Sequence, residues 1–503
     1  MASNSPISAD AAIANLQATV LTARCHNAFF RQKQLKSLHG ALRNNVSALK
    51  DALRHDTKVS DAEASSEVAL ALDVVKEHYG ALDANKELEE EYRIVNKKNA
   101  SQRREPWGLA YIEPQQNHTP LFSVITAVSA ALAAGNCVAL KLENNLRALP
   151  SLLRKLLPEA MEPDTFSMLA STPSSQSLSD CFQVFQEPQA FTPTYSQLVS
   201  PAGRVIAVVD RTADPASAAK QLVFARFAYG GTSPYAPDLV LVNEYIKQDF
   251  IQHALEQSTR FLSRPDDLGS KPTSRIAHTD TLQSLPSAVK LLTQGNQGAI
   301  LELSPLSVLP PKTHLPFPLL AISPITSLDH AITLVDAALA PQDALTAAYH
   351  FASPKAATYL VHAMRAHASF VNHVPNRLLL GPAAPLQLSG VDIDARYAVA
   401  LFSRPATVYV VPPSPSDEHP ALRMLLDGDG DEDRHSAGKS SAHVLAEARR
   451  EIKEKKRPDS IAVGYFEQGI FIGLAVYAIP LVSCIGATLF FGLRAGLRRW
   501  VFA

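Results

Sequence analysis

Apolar residues recur at three- and four-residue spacing near the start of the chain and form short continuous runs further along it. The first pattern predicts packed helices over residues 10 to about 100. Their buried face carries Leu35, Leu38, Leu42, Val46, Leu49 and Leu53.

A strand–helix–strand pattern follows a break at residues 106–108. The runs 109–112 and 138–141 predict strands, and the apolar segment 121–134 between them predicts a helix. Gly135-Asn136 is a typical helix end. This spacing indicates a βαβ unit of a parallel sheet.

The second half of the pattern repeats the alternation of strands and helices. Residues 204–209 and 239–242 predict strands, and Asp214 opens a helix that runs to Phe227. The fold class is therefore α/β.

One apolar run is of a different kind. Gly469–Leu493 contains no charged residue, and about 20 apolar residues span the ~30 Å hydrocarbon core of a bilayer. Arg494 and Trp500 follow, as is typical of a membrane interface. The run predicts a C-terminal transmembrane helix, although a buried soluble helix would share its composition. We expect a single-pass anchor in an endoplasmic reticulum-type membrane, with the bulk of the protein cytosolic.

Residues 413–466, before this run, predict a disordered, charged linker because they are polar and poor in aromatic residues. Residues 447–457 are rich in Lys and Arg. Two interpretations stay open for them: contact with anionic lipid headgroups, or an ordinary solvated helix.

Length and charge narrow the classes of function. At 503 residues the chain predicts two or three domains, and its net charge of −1 argues against nucleic-acid binding. The four cysteines, Cys25, Cys137, Cys181 and Cys484, lack CxxC spacing, so we predict no metal site.

Three segments resemble the aldehyde dehydrogenases. Residues 229–242 (YGGTSPYAPDLVLV) resemble the family's nucleophile turn, its A-P-D motif and the strand that follows. REPWGLAYIEP and ALAAGNCVALKLEN resemble two motifs of its cofactor domain, and the likeness covers about residues 30 to 410. With its C-terminal anchor, the chain resembles the class 3, fatty aldehyde dehydrogenase-like branch.

The resemblance implies an aldehyde dehydrogenase-like fold. A helical N-terminus and a Rossmann-like cofactor domain would occupy residues 1–190, completed by about 385–412. An α/β catalytic-like domain would occupy residues 191–384, followed by the linker and by the transmembrane helix at 469–493.

The family's catalytic groups are replaced at the matching positions. Ser233 or Pro234 stands in the slot of the nucleophilic cysteine, and Gln197 stands in that of the general-base glutamate. Asn117 lies one residue before the slot of the oxyanion-binding asparagine, which His118 occupies. An amide such as Gln197 cannot accept a proton at physiological pH.

The dinucleotide motifs are incomplete. Lys141 matches the lysine that holds the adenosine ribose of NAD or NADP in the family, but no glycine lies between Gly135 and Gly203 to form the pyrophosphate turn. His314 or Leu315 occupies the approximate slot of the glutamate that holds the nicotinamide ribose. No cofactor is therefore predicted.

Two hypotheses follow. The first is a membrane-anchored aldehyde dehydrogenase-like protein without normal oxidation, acting as a scaffold, a lipid-aldehyde binder or a regulator. The second is an active NAD(P)-dependent enzyme that oxidises long-chain or apocarotenoid-type aldehydes. The expected partners are the membrane and either a second copy or a catalytic relative, in a homodimer or heterodimer.

Overall fold

The computed structural model describes residues 8–143, 145–262, 289–295, 298–303, 318–339, 343–385, 396–411, 442–453 and 465–501. Two compact units divide the chain, Met1–Val411 and Pro412–Ala503. The predicted linker lies largely outside the described residues, as do His314 and Leu315.

Five helices open the first unit, and a region of mixed strands and helices follows, as the sequence predicts. The described helices are α1 Ala9–Val20, α2 Ala28–Asn44, α3 Val46–Thr57, α4 Asp61–Gly80, α5 Ala84–Tyr92, α6 Pro120–Ala134, α7 Ala148–Ala160, α8 Ser175–Leu178, α9 Pro215–Phe227, α10 Lys247–Leu262, α11 Leu328–Ala338 and α12 Pro354–Ala363. The described strands are β1 Arg104–Pro106, β2 Leu109–Glu113, β3 Cys137–Lys141, β4 Phe166–Leu169, β5 Phe182–Phe185, β6 Gln197–Val199, β7 Val205–Val209, β8 Leu239–Asn243, β9 Val289–Gly295, β10 Gly298–Leu303, β11 Leu319–Ile325, β12 Ala347–Phe351, β13 Ser369–Val371 and β14 Ser403–Pro405.

The first sheet has five parallel strands in the order β4-β3-β2-β5-β6. Its centre is the predicted βαβ unit, in which α6 links β2 to β3. Helix α6 is almost entirely buried because it has no polar face, and Gly135 ends it with a left-handed φ of 93°.

The second sheet has seven strands in the order β13-β12-β7-β8-β11-β10-β9. It is parallel except at its edge, where β9 pairs antiparallel with β10. The central strands β7, β8 and β12 are buried along their whole length, as expected of strands that are covered on both faces. The predicted α/β fold class is confirmed.

Near the end of the first unit, β14 pairs with β1 in a two-stranded antiparallel sheet. Strand β6 extends the first sheet to Val199. The domain boundaries near residues 190 and 384 stay a prediction.

The second unit contains a helix over residues 442–448, α13, and a long helix, α14, at Tyr465–Val501. Within α14 the segment Gly469–Ala495 has a mean hydropathy of 2.2. By length and composition, this segment is able to cross a membrane.

Candidate active site

The turn between α9 and β8 contains the candidate nucleophile. Tyr229, Gly230 and Gly231 adopt left-handed φ angles of 52°, 69° and 68° in succession. Thr232 then returns to φ −95° and ψ −1°. A left-handed conformation strains a residue with a Cβ, so Tyr229 needs contacts that hold it in place.

Helix α4 supplies those contacts. The Tyr229 N–H donates to Glu63 Oε1 at 3.0 Å, and the Tyr229 and Ser66 hydroxyls lie 2.8 Å apart. Glu63 also forms a capping box with Ser60 at the start of α4. The N-terminal helices therefore fix the turn that precedes β8.

Ser233 is buried, and its hydrogen bonds stay within its own turn. Its Oγ accepts from the Tyr235 N–H at 3.3 Å, and its carbonyl accepts from the Ala236 N–H at 3.1 Å. Pro234 lies between Ser233 and Tyr235 and has no N–H to donate.

Behind the turn, His118 is buried between Thr232 and the segment after β13. Its Nδ1 lies 2.9 Å from Thr232 Oγ1, and its Nε2 lies 2.7 Å from the Leu379 carbonyl oxygen. Burial lowers the pKa of His118 to about 4, so the ring is neutral at physiological pH. Because a carbonyl only accepts, Nε2–H donates to Leu379, and the bare Nδ1 accepts from the Thr232 hydroxyl.

Asn117 is exposed on the other side of the same loop. Its Oδ1 accepts from Arg147 Nη2 at 3.4 Å, and Arg147 Nη1 donates to the Gln116 carbonyl at 3.0 Å. His118, rather than Asn117, is therefore the residue of this loop that contacts the 229–233 turn.

A buried glutamate side chain caps the N-terminus of α6. Glu67 Oε1 accepts from the N–H groups of Leu121 and Phe122, at 2.9 and 3.2 Å. Burial raises the pKa of Glu67 to about 8, although the two hydrogen bonds act in the opposite direction. Sequence reasoning missed Glu67, and the only available signal was an acidic residue among apolar helix positions.

Lys141 ends β3 at the carboxyl edge of the first sheet, where parallel α/β sheets bind ligands. Its Nζ lies 2.7 Å from Glu113 Oε1, at the end of the neighbouring strand β2. Glu113 Oε2 also accepts from the Tyr111 hydroxyl at 3.0 Å. Lys141 therefore forms an ion pair with Glu113 of the same chain.

The connection from β5 to β6 has no helix and no glycine over residues 186–196, all of which are described. Buried Gln186 begins it and donates to the Ser123 carbonyl at 2.8 Å, while its Oε1 accepts from the Gln115 N–H at 3.2 Å. The preceding connection contains only the four-residue helix α8. Since a pyrophosphate needs close backbone N–H groups at a glycine turn and helix start, these residues do not fit a dinucleotide.

Gln197 begins β6 and makes its hydrogen bonds within the first sheet. Its Oε1 accepts from the Thr194 N–H at 3.0 Å, and its Nε2 donates to Gln183 Oε1 at 3.1 Å. No hydrogen bond joins Gln197 to Ser233 in the part of the chain that the structure describes.

Solved structures share this architecture over about four fifths of the chain. Staphylococcus aureus AldH in a substrate-bound state superposes with a TM-score of 0.61 at 17% identity, covering 79% of this chain and 93% of that one. The NADP complex of a glyceraldehyde-3-phosphate dehydrogenase from Methanocaldococcus jannaschii gives 0.59 at 15% identity, covering 80% and 93%. The protein therefore has the aldehyde dehydrogenase fold.

Sequence comparison finds partial matches to aldehyde dehydrogenases. Residues 2–180 match the model of the aldehyde dehydrogenase family. Human aldehyde dehydrogenase family 3 member B1 is 29% identical over 287 residues, which is 52% of this chain and 59% of the relative. The 4,4'-diaponeurosporen-aldehyde dehydrogenase of Staphylococcus aureus is 24% identical over 253 residues, or 46% and 53%. The chain is therefore aldehyde dehydrogenase-like, with class 3 members among its relatives, and it spans little more than half the length of these curated relatives.

Proposed function

We propose that this chain is a membrane-anchored aldehyde dehydrogenase-like protein that does not oxidise aldehydes with NAD or NADP. It would act as a scaffold, as a binder of lipid aldehydes or as a regulator of a catalytic relative. The main support is the carboxyl edge of the first sheet, where Gln186 and a helix-free connection take the place of a pyrophosphate site.

The candidate catalytic residues support the same proposal. Ser233 directs its hydroxyl oxygen to the Tyr235 N–H, and no base is among its hydrogen-bond partners in the described chain. Gln197 offers an amide where general-base catalysis needs a carboxylate. Asn117 faces Arg147 and solvent, so oxyanion binding by its amide would require the loop to rearrange.

Cofactor binding is the deciding test. The full chain in detergent micelles should be titrated with NAD and with NADP by calorimetry and by thermal shift, with a catalytic class 3 enzyme as the positive control. Ligand at a hundredfold excess over its Kd stabilises a protein by about 2.7 kcal/mol, so binding in the micromolar range would raise Tm visibly. The proposal expects no heat and no change in Tm. Saturable micromolar binding would overturn it.

The second candidate is NAD(P)-dependent oxidation of long-chain or apocarotenoid-type aldehydes, with Ser233 as the nucleophile and Lys141 on the adenosine ribose. It is favoured by relatives whose names include aldehydes of this class, such as 4,4'-diaponeurosporen-aldehyde. The test is NADH formation from decanal by the parent and by Ser233→Ala. Oxidation by the parent that the substitution abolishes would support this candidate.

We propose that Gly469–Ala495 anchors the protein in an endoplasmic reticulum-type membrane, with the bulk of the chain in the cytosol. Carbonate extraction followed by protease digestion of intact microsomes tests both points. Retention in the pellet with digestion of the first unit is expected, and release into the supernatant would contradict the anchor.

We also propose that the protein forms a homodimer or a heterodimer with a catalytic relative, as the superfamily resemblance suggests. Light scattering in detergent measures the mass of the particle, and co-purification with a tagged class 3 enzyme tests the mixed pair. A monomer under both conditions would contradict this proposal.

A further inference from the structure

Two buried cysteine side chains meet where the N-terminal helices pack on the first sheet. The Sγ atoms of Cys25 and Cys137 lie 3.6 Å apart, although the residues are 112 positions apart in sequence. Cys25 is 7% exposed and Cys137 is 1% exposed, and both are free thiols. The sulfur atoms of a disulfide lie about 2.05 Å apart, so these two would have to approach each other by only about 1.5 Å to form one.

The two cysteines lie on elements of different kinds. Cys137 begins β3, an inner strand of the first sheet, and its N–H donates to the Gly108 carbonyl oxygen at 2.8 Å. Cys25 lies in the short 3₁₀ turn Arg24–His26, which connects α1 to α2. Because a short connection shifts more easily than an inner strand, the sheet holds one sulfur in place while the turn carries the other toward it.

Cys25 lies close to solvent in spite of its burial. Every other residue from 21 to 27 is exposed, so the connection between α1 and α2 runs along the surface. The Cys25 side chain alone turns inward from it and joins the apolar cluster that also contains Cys137. A local opening of this connection therefore exposes the Cys25 thiol to a small oxidant without any unfolding of the sheet.

The surroundings of the pair favour the thiolate of Cys25. The hydrogen bond from Cys137, together with the positive charges of Arg24 and Arg31, lowers the pKa of the Cys25 thiol, although burial acts in the opposite direction. The same hydrogen bond and burial raise the pKa of Cys137. Since the thiolate is the nucleophile in thiol oxidation, Cys25 is the residue that reacts first, and Cys137 is its resolving partner.

We propose that Cys25 and Cys137 form a reversible disulfide when the protein meets a hydroperoxide. The Cys25 thiolate attacks one peroxide oxygen, the O–O bond breaks, and the departing oxygen takes up the proton that the thiol has lost. The Cys137 sulfur then attacks the sulfenic acid on Cys25, and the hydroxyl group leaves as water with the Cys137 proton. The two thiols lose two electrons and the hydroperoxide gains them, which yields a disulfide, one water and an alcohol, or a second water from hydrogen peroxide. A dithiol reverses the bond by thiol–disulfide exchange and is itself oxidised.

The disulfide would join the connection between α1 and α2 covalently to the first sheet. It would link residues 112 positions apart, and the enclosed segment contains the helices from α2 to α6. A cross-link over so long a segment stabilises a protein mainly by restricting its unfolded chain. The Tm of the oxidised protein should therefore be several degrees above that of the reduced protein. In the cytosol, glutathione keeps such thiols reduced, so the bond would form only under oxidising conditions.

The test uses the full chain in detergent micelles, reduced with dithiothreitol, desalted and treated with a small excess of hydrogen peroxide. The intact mass should fall by about 2 Da, the mass of the two hydrogen atoms that are lost. A digest without reductant should contain the peptide of Cys25 linked to that of Cys137. Fresh dithiothreitol should restore both the original mass and the original Tm. A parent that stays reduced, a link between other cysteines, or an oxidised Tm no higher than the reduced one would each overturn the proposal.

Single substitutions test the order of the two steps. Cys137→Ser should accumulate a sulfenic acid at Cys25, which dimedone labels, and labelling at another residue would contradict that order. Cys25→Ser should show neither the loss of mass nor the label. Cys181→Ser is the matched control and should form the disulfide like the parent, because Cys181 is also buried and free but contacts the Ser177 carbonyl oxygen at 3.3 Å. The peptide map of the parent decides the proposal if a variant fails to fold. No nucleotide takes part, so this proposal and the proposed loss of aldehyde oxidation can fail independently.

Discussion

Glu67 Oε1 lies 2.9 Å from the Leu121 N–H, and this contact joins helix α4 to the first turn of the buried helix α6. The partners are 54 residues apart in sequence. Helix N-termini attract negative charge, but Glu67 is completely buried, so ionisation would leave a charge in an apolar site. The site therefore favours a protonated carboxyl that still accepts hydrogen bonds.

Glu67 makes the stability of the fold depend on pH. Its pKa rises from 4.5 to about 8 on folding, so between these values the folded chain keeps a proton that the unfolded chain loses. Stability from this group is therefore greatest below about pH 4.5, falls as pH rises and levels off above about pH 8. Glu67→Gln keeps an acceptor without a titrating proton, so the Tm of this variant relative to the parent should increase across the window.

Thermal melts of the full chain at about pH 5 and about pH 8 measure this difference. Glu89→Gln, at an exposed position on α5, is the matched control and should leave the parent's pH profile unchanged. Glu67→Ala removes the acceptor as well, so it should be less stable than Glu67→Gln by about 1–3 kcal/mol at either pH. A difference between Glu67→Gln and the parent that does not vary with pH would contradict the assignment.

Two neighbouring glycines of the 229–233 turn should respond differently to alanine. Both have φ near +70°, but a Cβ at Gly230 meets no atom within 4 Å, whereas one at Gly231 lies 2.3 Å from Pro318 Cγ and 2.7 Å from the Arg226 carbonyl oxygen. Gly230→Ala should cost about 1–2 kcal/mol from backbone strain alone. Gly231→Ala should cost a further 1–3 kcal/mol or so from overpacking. The urea midpoints of the two variants measure this difference in the free energy of unfolding. Equal losses of stability in the two variants would mean that the turn is free to shift.

The helices and strands of this fold could be predicted because the sequence patterns that specify them lie within the elements themselves. The apolar run 121–134, Gly135-Asn136 and the strands on either side specify the βαβ unit without reference to the rest of the chain. The frame of the nucleophile turn was also recognisable, since Ala236-Pro237-Asp238 leads into β8 as expected.

The contacts that define the site could not be predicted in this way. His118 meets Thr232 across 114 residues, and Tyr229 meets Glu63 across 166. No spacing or motif in the sequence indicates that the residues of either pair are in contact. Alignment with the family placed His118 in the slot of the oxyanion-binding asparagine and gave Asn117 and Ser233 as candidate catalytic residues, while the structure brings His118 together with Thr232. A shift of one residue moves a side chain to the other side of a loop, which a motif match does not resolve.

We expect that removal of the Lys141–Glu113 ion pair will change the stability of the fold little and will not change nucleotide binding. Both side chains are partly exposed, and ion pairs of this kind contribute about 0–1 kcal/mol. Glu113→Gln should therefore change Tm little while it frees Lys141 from its acidic partner. If the missing pyrophosphate site prevents binding, this variant should show no NAD-dependent rise in Tm. Recovery of micromolar NAD binding in Glu113→Gln would instead identify the ion pair as the obstacle, with Lys141→Met as the control that must then abolish it.

The position of a new charge within α14 should decide how firmly the protein is anchored. Leu481 lies near the middle of Gly469–Ala495, whereas Leu493 lies beside Arg494 at its end. An arginine at the centre of a membrane helix costs about 2.5–3.5 kcal/mol on insertion scales, and one near the interface costs much less because its side chain reaches the headgroups. Leu481→Arg should therefore lower the fraction of protein that resists carbonate extraction, while Leu493→Arg should behave like the parent. If the two variants extracted equally, the helix would lie outside the hydrocarbon core, and the proposed anchor would have to be abandoned.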